Sequence, residues 1–144
     1  MKRRLPALLA PLALLLALSP LGSDPGLAGA SPRHAPGRSV RDEIGRKVQV
    51  PLHPRRIVSL APSVTETLFA LGAGDAVVGV TEFCDYPAAA VSKARIGGMV
   101  NPNWEAILDL EPDLVVATTA GNDRSAVTRA EALRLPLFFL NTPD

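Results

Sequence analysis

Arg56–Gly72 reads RIVSLAPSVTETLFALG, and its two halves follow different periods. Arg56–Leu60 is a short apolar run of the kind that forms a buried strand. Ala61-Pro62 breaks it. Ser63-Val64-Thr65-Glu66 then matches the S-x-x-E capping box, in which a hydroxyl and a carboxylate satisfy free backbone N–H groups at a helix start. Val64, Leu68 and Leu71 follow at helical spacing. Gly72 stands where a helix stop favours a left-handed residue.

The same alternation continues downstream. Ala76–Thr81 (AVVGVT) is a second strand, and Ile96 opens a short extended piece before Gly97-Gly98. In NPNWEAILDLEPDLVVA, Asn101–Ala117, either Asn103 or Asn101 caps a helix, with Pro102 tolerated at its start. Ile107, Leu108 and Leu110 form its apolar stripe, and Pro112 ends it. Leu114–Thr118 is a third strand, Ser125–Leu133 a helix of mixed charge, and Leu137–Leu140 a fourth strand. Upstream, Val40–Val50 alternates around Gly45 as a small β-hairpin does. Continuous apolar strands alternating with helices predict an α/β fold whose parallel sheet is flanked by helices on both faces. Ligands of such sheets bind beyond the carboxyl ends of the strands. That singles out Ala61-Pro62-Ser63, Thr81–Pro87, Thr118–Arg124 and whatever follows Leu140. The sequence given stops at Asn141–Asp144, immediately after a strand, so we expect the first part of a longer protein.

Lys2, Arg3 and Arg4, the apolar run Leu5–Leu18 and the A-x-A site Ala28–Ala30 have the layout of a secretory signal peptide, residues 1–30. The run is shorter than the roughly 20 residues that span a bilayer. Leu27–Ala30 (LAGA), at the end of the signal, differs from a bacterial lipobox by Ala30 in place of cysteine, so a free, exported protein is expected. Residues 31–38, rich in proline and basic side chains, read as a disordered leader, and 39–144 as the folded lobe. Of 15 basic and 14 acidic residues, the signal removes three and one, leaving a net charge of −1. Nucleic acid is therefore not an expected partner. Cys84, the single cysteine, allows no internal disulfide.

Few residues offer chemistry. Gly72-Ala73-Gly74 has the wrong spacing for a dinucleotide fingerprint and follows a helix rather than a strand, so it reads as a stop and turn. His34 and His53 have no neighbouring partner. Glu82, Cys84 and Asp85 lie together, but an extended chain points Cys84 away from its neighbours. Neither a metal site nor a nucleophile with its base is expected. What remains is TEFCDYP, Thr81–Pro87, which sets Phe83 and Tyr86 at a strand's carboxyl end. They either wall a ligand or pack the loop onto the domain. The helix that opens with Trp104 and Glu105 poses a similar choice. A carboxylate at a helix start is favoured by the dipole alone, by roughly 0.3–1 kcal/mol.

RIVSLAPSVTETLFALG, VVGVTEFCDYP, the stretch from Gly97-Gly98 to Trp104-Glu105, and EPDLVVA occur in that order behind a signal peptide. In this the chain resembles the periplasmic solute-binding proteins of ABC importers for corrinoids, haem and iron-siderophores, from about Arg56 to Asn141; CDYP looks most like the cobalamin branch. The resemblance implies the N-terminal lobe of a two-lobed fold with a ligand cleft between lobes. It implies a substrate-binding protein, not an enzyme, that acts as a monomer in the periplasm. Its ligand, a cobalamin-like corrinoid, haem or ferric siderophore, is cargo passed to a permease with its ATPase; no cofactor is implied. Phe83 takes the position of an aromatic placed against the ligand, with Asp85 and Tyr86 shaping that loop. Pro62, Ser63, Met99, Gly121 and Asn122 are further ligand-side candidates. Thr118 stands where corrinoid binders can place a tryptophan, so a stacking wall is missing there. Glu105 matches a surface glutamate that docks onto permease arginines. Trp104 either packs beside its helix or lines the approach to the cleft. One lobe leaves one wall of such a cleft exposed, so weak or no ligand binding is expected of residues 31–144. A self-contained secreted α/β enzyme or structural domain is the alternative, and a receptor for free metal ions a third.

Overall fold

The computed structural model describes residues 37–141. The expected signal peptide and all of the expected leader but Gly37 and Arg38 lie outside them. In chain order the elements are β1 (Gly37–Arg41), β2 (Lys47–Pro51), β3 (Ile57–Ser59), α1 (Pro62–Ala70), β4 (Val77–Val80), β5 (Ala94–Arg95), α2 (Trp104–Asp109), β6 (Leu114–Thr118), α3 (Ser125–Ala132) and β7 (Leu137–Leu140). Gly37 and Arg38 are strand rather than leader: they pair with Pro51 and Val50 across the β1–β2 hairpin, which turns at Gly45 with φ +87°.

The five strands from β3 onward form one parallel sheet in the order β5-β4-β3-β6-β7. The chain walks outward from β3 to β5, returns to the centre at β6 and continues to β7. Apolar runs alternate between two cores, one on each sheet face. Ile57, Leu114 and Val116 pack with Val64 and Leu68 of α1. Val58 and Val115 pack with Ile107 of α2 and with Ala126 and Ala130 of α3. β6 and β7 have the bounds the sequence predicts; β5, two exposed residues long, escapes a reading based on apolar runs.

The expected capping box does not form. Ala61, in extended backbone, is the N-cap of α1, and no side chain caps it. Pro62, with its fixed φ, starts the helix two residues early, so Ser63 falls inside the first turn. The stop is as expected. Gly72 adopts φ +78°; its N–H donates to Phe69 O at 3.0 Å, and Ala73 N–H donates to Leu68 O at 2.9 Å. This is the Schellman pairing. Because the helix ends at Ala70, Leu71 leaves the apolar face and is exposed.

The hairpin covers the β7 edge. Pro136 O and Leu140 O point to β6, accepting from Val115 and Thr119 N–H at 2.9 and 3.0 Å. Leu137 O and Phe139 O therefore point outward. Glu43 N–H donates to Phe139 O at 3.1 Å, and Arg46 Nη2 donates to Leu137 O at 2.8 Å. The guanidinium also pairs with Asp42 at 2.8 Å and lies 5.8 Å from the Phe139 ring centroid. An edge that would otherwise template a further strand is closed.

Gly79 brings α2 close to the sheet. A Cβ there would lie 2.6 Å from Leu110 Cδ1 and 3.1 Å from Ile96 Cγ2. Gly79→Ala should destabilise the domain by about 1–3 kcal/mol through overpacking, measured by urea unfolding; an unchanged midpoint would show that the helix end yields freely.

Candidate ligand-binding rim at the strand ends

Three loops and the start of α1 meet at the carboxyl edge of the sheet. The loop after β4, Thr81–Pro87, is anchored from beneath. Cys84 is buried, and its Sγ lies 3.1 Å from Thr81 Oγ1 and 3.2 Å from Thr65 Oγ1. Arg95 Nη1 donates to Thr81 O and Cys84 O, both at 2.8 Å. Glu82 N–H donates to Gly97 O at 3.0 Å. Residues 82–83 form a turn, closed by Cys84 N–H donating to Thr81 O at 3.2 Å, and not an extended piece; Cys84 turns inward and its neighbours turn out. Phe83 and Tyr86 are 63% and 66% exposed. Of the two readings of these aromatics, packing onto the domain is overturned by that exposure.

The loop after β5 is shaped by glycine. Gly97 adopts φ +84° and forms an isolated bridge to Pro102. Asn103 N–H returns to Ile96 O at 2.8 Å. Asn103, one of the two expected caps, is the one used: its Oδ1 accepts from Ala106 N–H at 3.1 Å. Met99 lies over Gly121, where a Cβ would overlap the thioether methyl. Gly121 thus contributes by lacking a side chain.

Behind β6 the expectation for two residues changes. Thr118 is 1% exposed, and its hydroxyl accepts from Ala120 N–H at 3.2 Å. It faces the interior rather than a ligand. Asn122 is 8% exposed, with its amide engaged by backbone: Thr118 N–H donates to Oδ1 at 2.8 Å, and Nδ2 donates to Leu60 O and Met99 O at 2.9 and 2.8 Å.

Above these supports lies an open depression of ≈ 540 Å³, lined by Pro62, Phe83, Gly98, Met99, Val100 and Asn101. The structure thus brings together Pro62, Phe83 and Met99 of the expected residues. Ser63, Asp85 and Tyr86 are exposed outside it. Gly98, Val100 and Asn101 were missed, and only their place in the glycine-rich stretch hinted at them. A smaller polar hollow of ≈ 300 Å³ adjoins it across Met99, Val100 and Asn101, bordered also by Trp104, Asn122, Asp123 and Arg129. The Ser125 backbone N–H, 2.6 Å from Asp123 Oδ1, holds that exposed carboxyl below the usual aspartate range. Trp104 packs on the core and borders this hollow. Glu105, in the same helical turn, is exposed and borders neither depression. Among the described residues no group of three or more His, Cys, Asp or Glu side chains could hold a metal ion, and no helix is long and apolar enough to cross a membrane.

A family model described as periplasmic binding protein matches residues 57–144. Curated vitamin B12-binding proteins of Yersinia pestis (strain Pestoides F) and Yersinia pseudotuberculosis serotype O:1b (strain IP 31758) are each 38% identical over 84 residues, 58% of this chain and 30% of theirs. The periplasmic vitamin B12 binding protein BtuF of Vibrio cholerae superposes with a TM-score of 0.56 at 38% identity, over 60% of this chain and 34% of that one. The periplasmic heme-binding protein RhuT from Roseiflexus sp. RS-1 gives 0.57 at 35% identity, over 63% and 35%. All four are binding proteins, not enzymes, as expected. The chain spans about a third of their length.

Arg95 serves Phe83 without touching it. Arg95→Ala removes two charge-assisted bonds to loop carbonyls and should cost about 1–3 kcal/mol of stability. Amide exchange should quicken most between Thr81 and Ala90. An exchange increase spread evenly over the sheet would refute this anchoring role.

Proposed function

The chain belongs to the periplasmic binding protein family, and from that premise we propose that it forms one wall of the ligand cleft of an ABC importer's substrate-binding protein. The observation that carries this reading is Phe83. A large aromatic is 63% exposed at a sheet's carboxyl edge, while the backbone around it is fixed by Cys84, Arg95 and Gly97. Leaving a phenyl ring in water costs on the order of 1.5–3 kcal/mol relative to burying it, which a bound apolar face would recover. Pro62 and Met99 extend that face across an open depression. A broad, rigid macrocycle suits it, with a corrinoid or haem ahead of a ferric siderophore. The vitamin B12 and heme named for the relatives support this order.

The ligand is cargo in this reading. Residues 1–30 act as the export signal that brings the protein to the periplasm, where it works as a monomer. Asp85 and Tyr86 meet the ligand from the loop flank, Ser63 from the first turn of α1. Permease subunits with their ATPase are the partners, met through Glu105. Asn103 already caps α2, so helix initiation does not require that carboxylate.

Titration of cyanocobalamin, hemin and a ferric hydroxamate, followed by the fluorescence of the one tryptophan, Trp104, tests the wall. Phe83→Ala should weaken the best of these at least tenfold, about 1.4 kcal/mol. Its unfolding free energy should stay within about 0.5 kcal/mol of the parent. Equal affinity in the variant would remove Phe83 from the site. Glu105→Ala should leave every affinity unchanged and slow whole-cell uptake of the same ligand. A loss of affinity instead would place Glu105 in the cleft.

A further inference from the structure

The ladder between β3 and β6 is interrupted where the two strands end. Leu60 N–H donates to Val116 O at 2.9 Å. In a regular parallel ladder Leu60 would next accept, through its carbonyl, from Thr118 N–H, since one residue bonds two residues spaced i and i+2 on its neighbour. Asn122 occupies that rung. Its Oδ1 accepts from Thr118 N–H at 2.8 Å, and its Nδ2 donates to Leu60 O at 2.9 Å. A side-chain carboxamide is thus spliced into the ladder as if it were a peptide group, supplying one acceptor and one donor. Its remaining N–H reaches a third loop, at Met99 O, 2.8 Å away. The partners fix which amide atom is which, because an N–H requires the oxygen and two carbonyls require the nitrogen. Burial keeps water from competing for the three bonds.

We infer that Asn122 is the positioning residue of the rim. Its carboxamide holds the ends of β3 and β6 apart and sets the height of the Gly97–Asn101 loop, hence the place of Met99 between the two depressions. It acts through Met99 and not by touching a ligand, since both Nδ2 hydrogens are committed. Its meaning for binding rests on the groove reading above; its geometry does not. No other residue type supplies this set at this reach. Aspartate keeps the oxygen that meets Thr118 but sets a second acceptor against two carbonyls, and glutamine is one methylene too long.

The chain has two methionines, Met1 and Met99, so methyl-labelled methionine gives a direct reading of the loop by NMR. In Asn122→Asp the Met99 methyl should lose its dispersed shift and gain motion, while the Val58 and Val115 methyls keep theirs. Lowering the pH should return the Met99 signal part of the way, because the protonated carboxyl regains one donor. A merely stabilising residue would leave the Met99 shift of the folded variant unchanged, and that result would overturn the inference. Should the variant not fold, the parent protein decides: couplings through the hydrogen bonds from Asn122 Nδ2 to the carbonyl carbons of Leu60 and Met99 are expected, and their absence would refute the arrangement. Hemin and cyanocobalamin should each bind at least tenfold more weakly to Asn122→Asp; equal affinity would sever Asn122 from binding. A parent that takes up neither matches the weak binding expected of a single wall, and the Met99 methyl then decides the positioning role.

Discussion

All strands of the main sheet run parallel, and this one constraint places everything else. Parallel strands need a crossover for every return, so each carboxyl end emerges on the same edge and each loop after a strand lands beside the others. Because the chain leaves β3 in one direction and re-enters at β6 in the other, the crossovers part between these two strands, and a crevice opens there. Residues distant in sequence converge on it: Leu60 after β3, Met99 after β5, Asn122 after β6. The backbone groups that the parting leaves without a rung must still be satisfied. A buried amide does this, and the Gly97–Asn101 loop it ties down lines the depression.

The rim is rigid because its supports are buried and its contact surface is not. Thr65, Thr81 and Cys84 form a small polar cluster under the loop after β4, on the face that α1 covers. Arg95 closes the same loop from the edge strand. Phe83 stands above this framework without helping to hold it. The separation matters for binding. An aromatic ordered in advance loses little conformational freedom when a ligand covers it, whereas a mobile one would forfeit part of the gain.

The sequence reveals elements where burial is continuous and conceals them where it is not. Leu114–Thr118 and Leu137–Leu140 are buried on both faces or nearly so, and their bounds are legible as apolar runs. Ala94-Arg95 is an exposed edge pairing with no hydrophobic signature. The Ser63–Glu66 motif fits a cap by pattern, but Pro62 is a stronger determinant, since its fixed φ starts the helix before a serine can cap it. The rim divides in the same way. TEFCDYP is visible because aromatics at a strand end are unusual in a chain with few of them. The anchors of that loop are hidden, because Arg95 reaches carbonyls 11 and 14 residues away. Nothing in a local pattern marks Thr118 as interior or Asn122 as a ladder rung. Both follow from how β3 and β6 part.

The first turn of α2 shows how one short element serves two surfaces. Asn103 supplies the cap, and Leu110 with Gly79 sets how closely the helix lies on the sheet. Those two features suffice to start the helix and seat it. Trp104 is drawn toward the core and the polar hollow. Its neighbour is turned by about 100° around the helix axis, so Glu105 points to solvent, away from both depressions. In a six-residue helix the dipole is small, and the favourable term for a carboxylate at its start is at the lower end of about 0.3–1 kcal/mol. Stability therefore accounts for the Trp104 position and only weakly for the Glu105 one. The proposed contact beyond the domain would account for the latter better, and α2 leaves Glu105 free to make it without touching either depression.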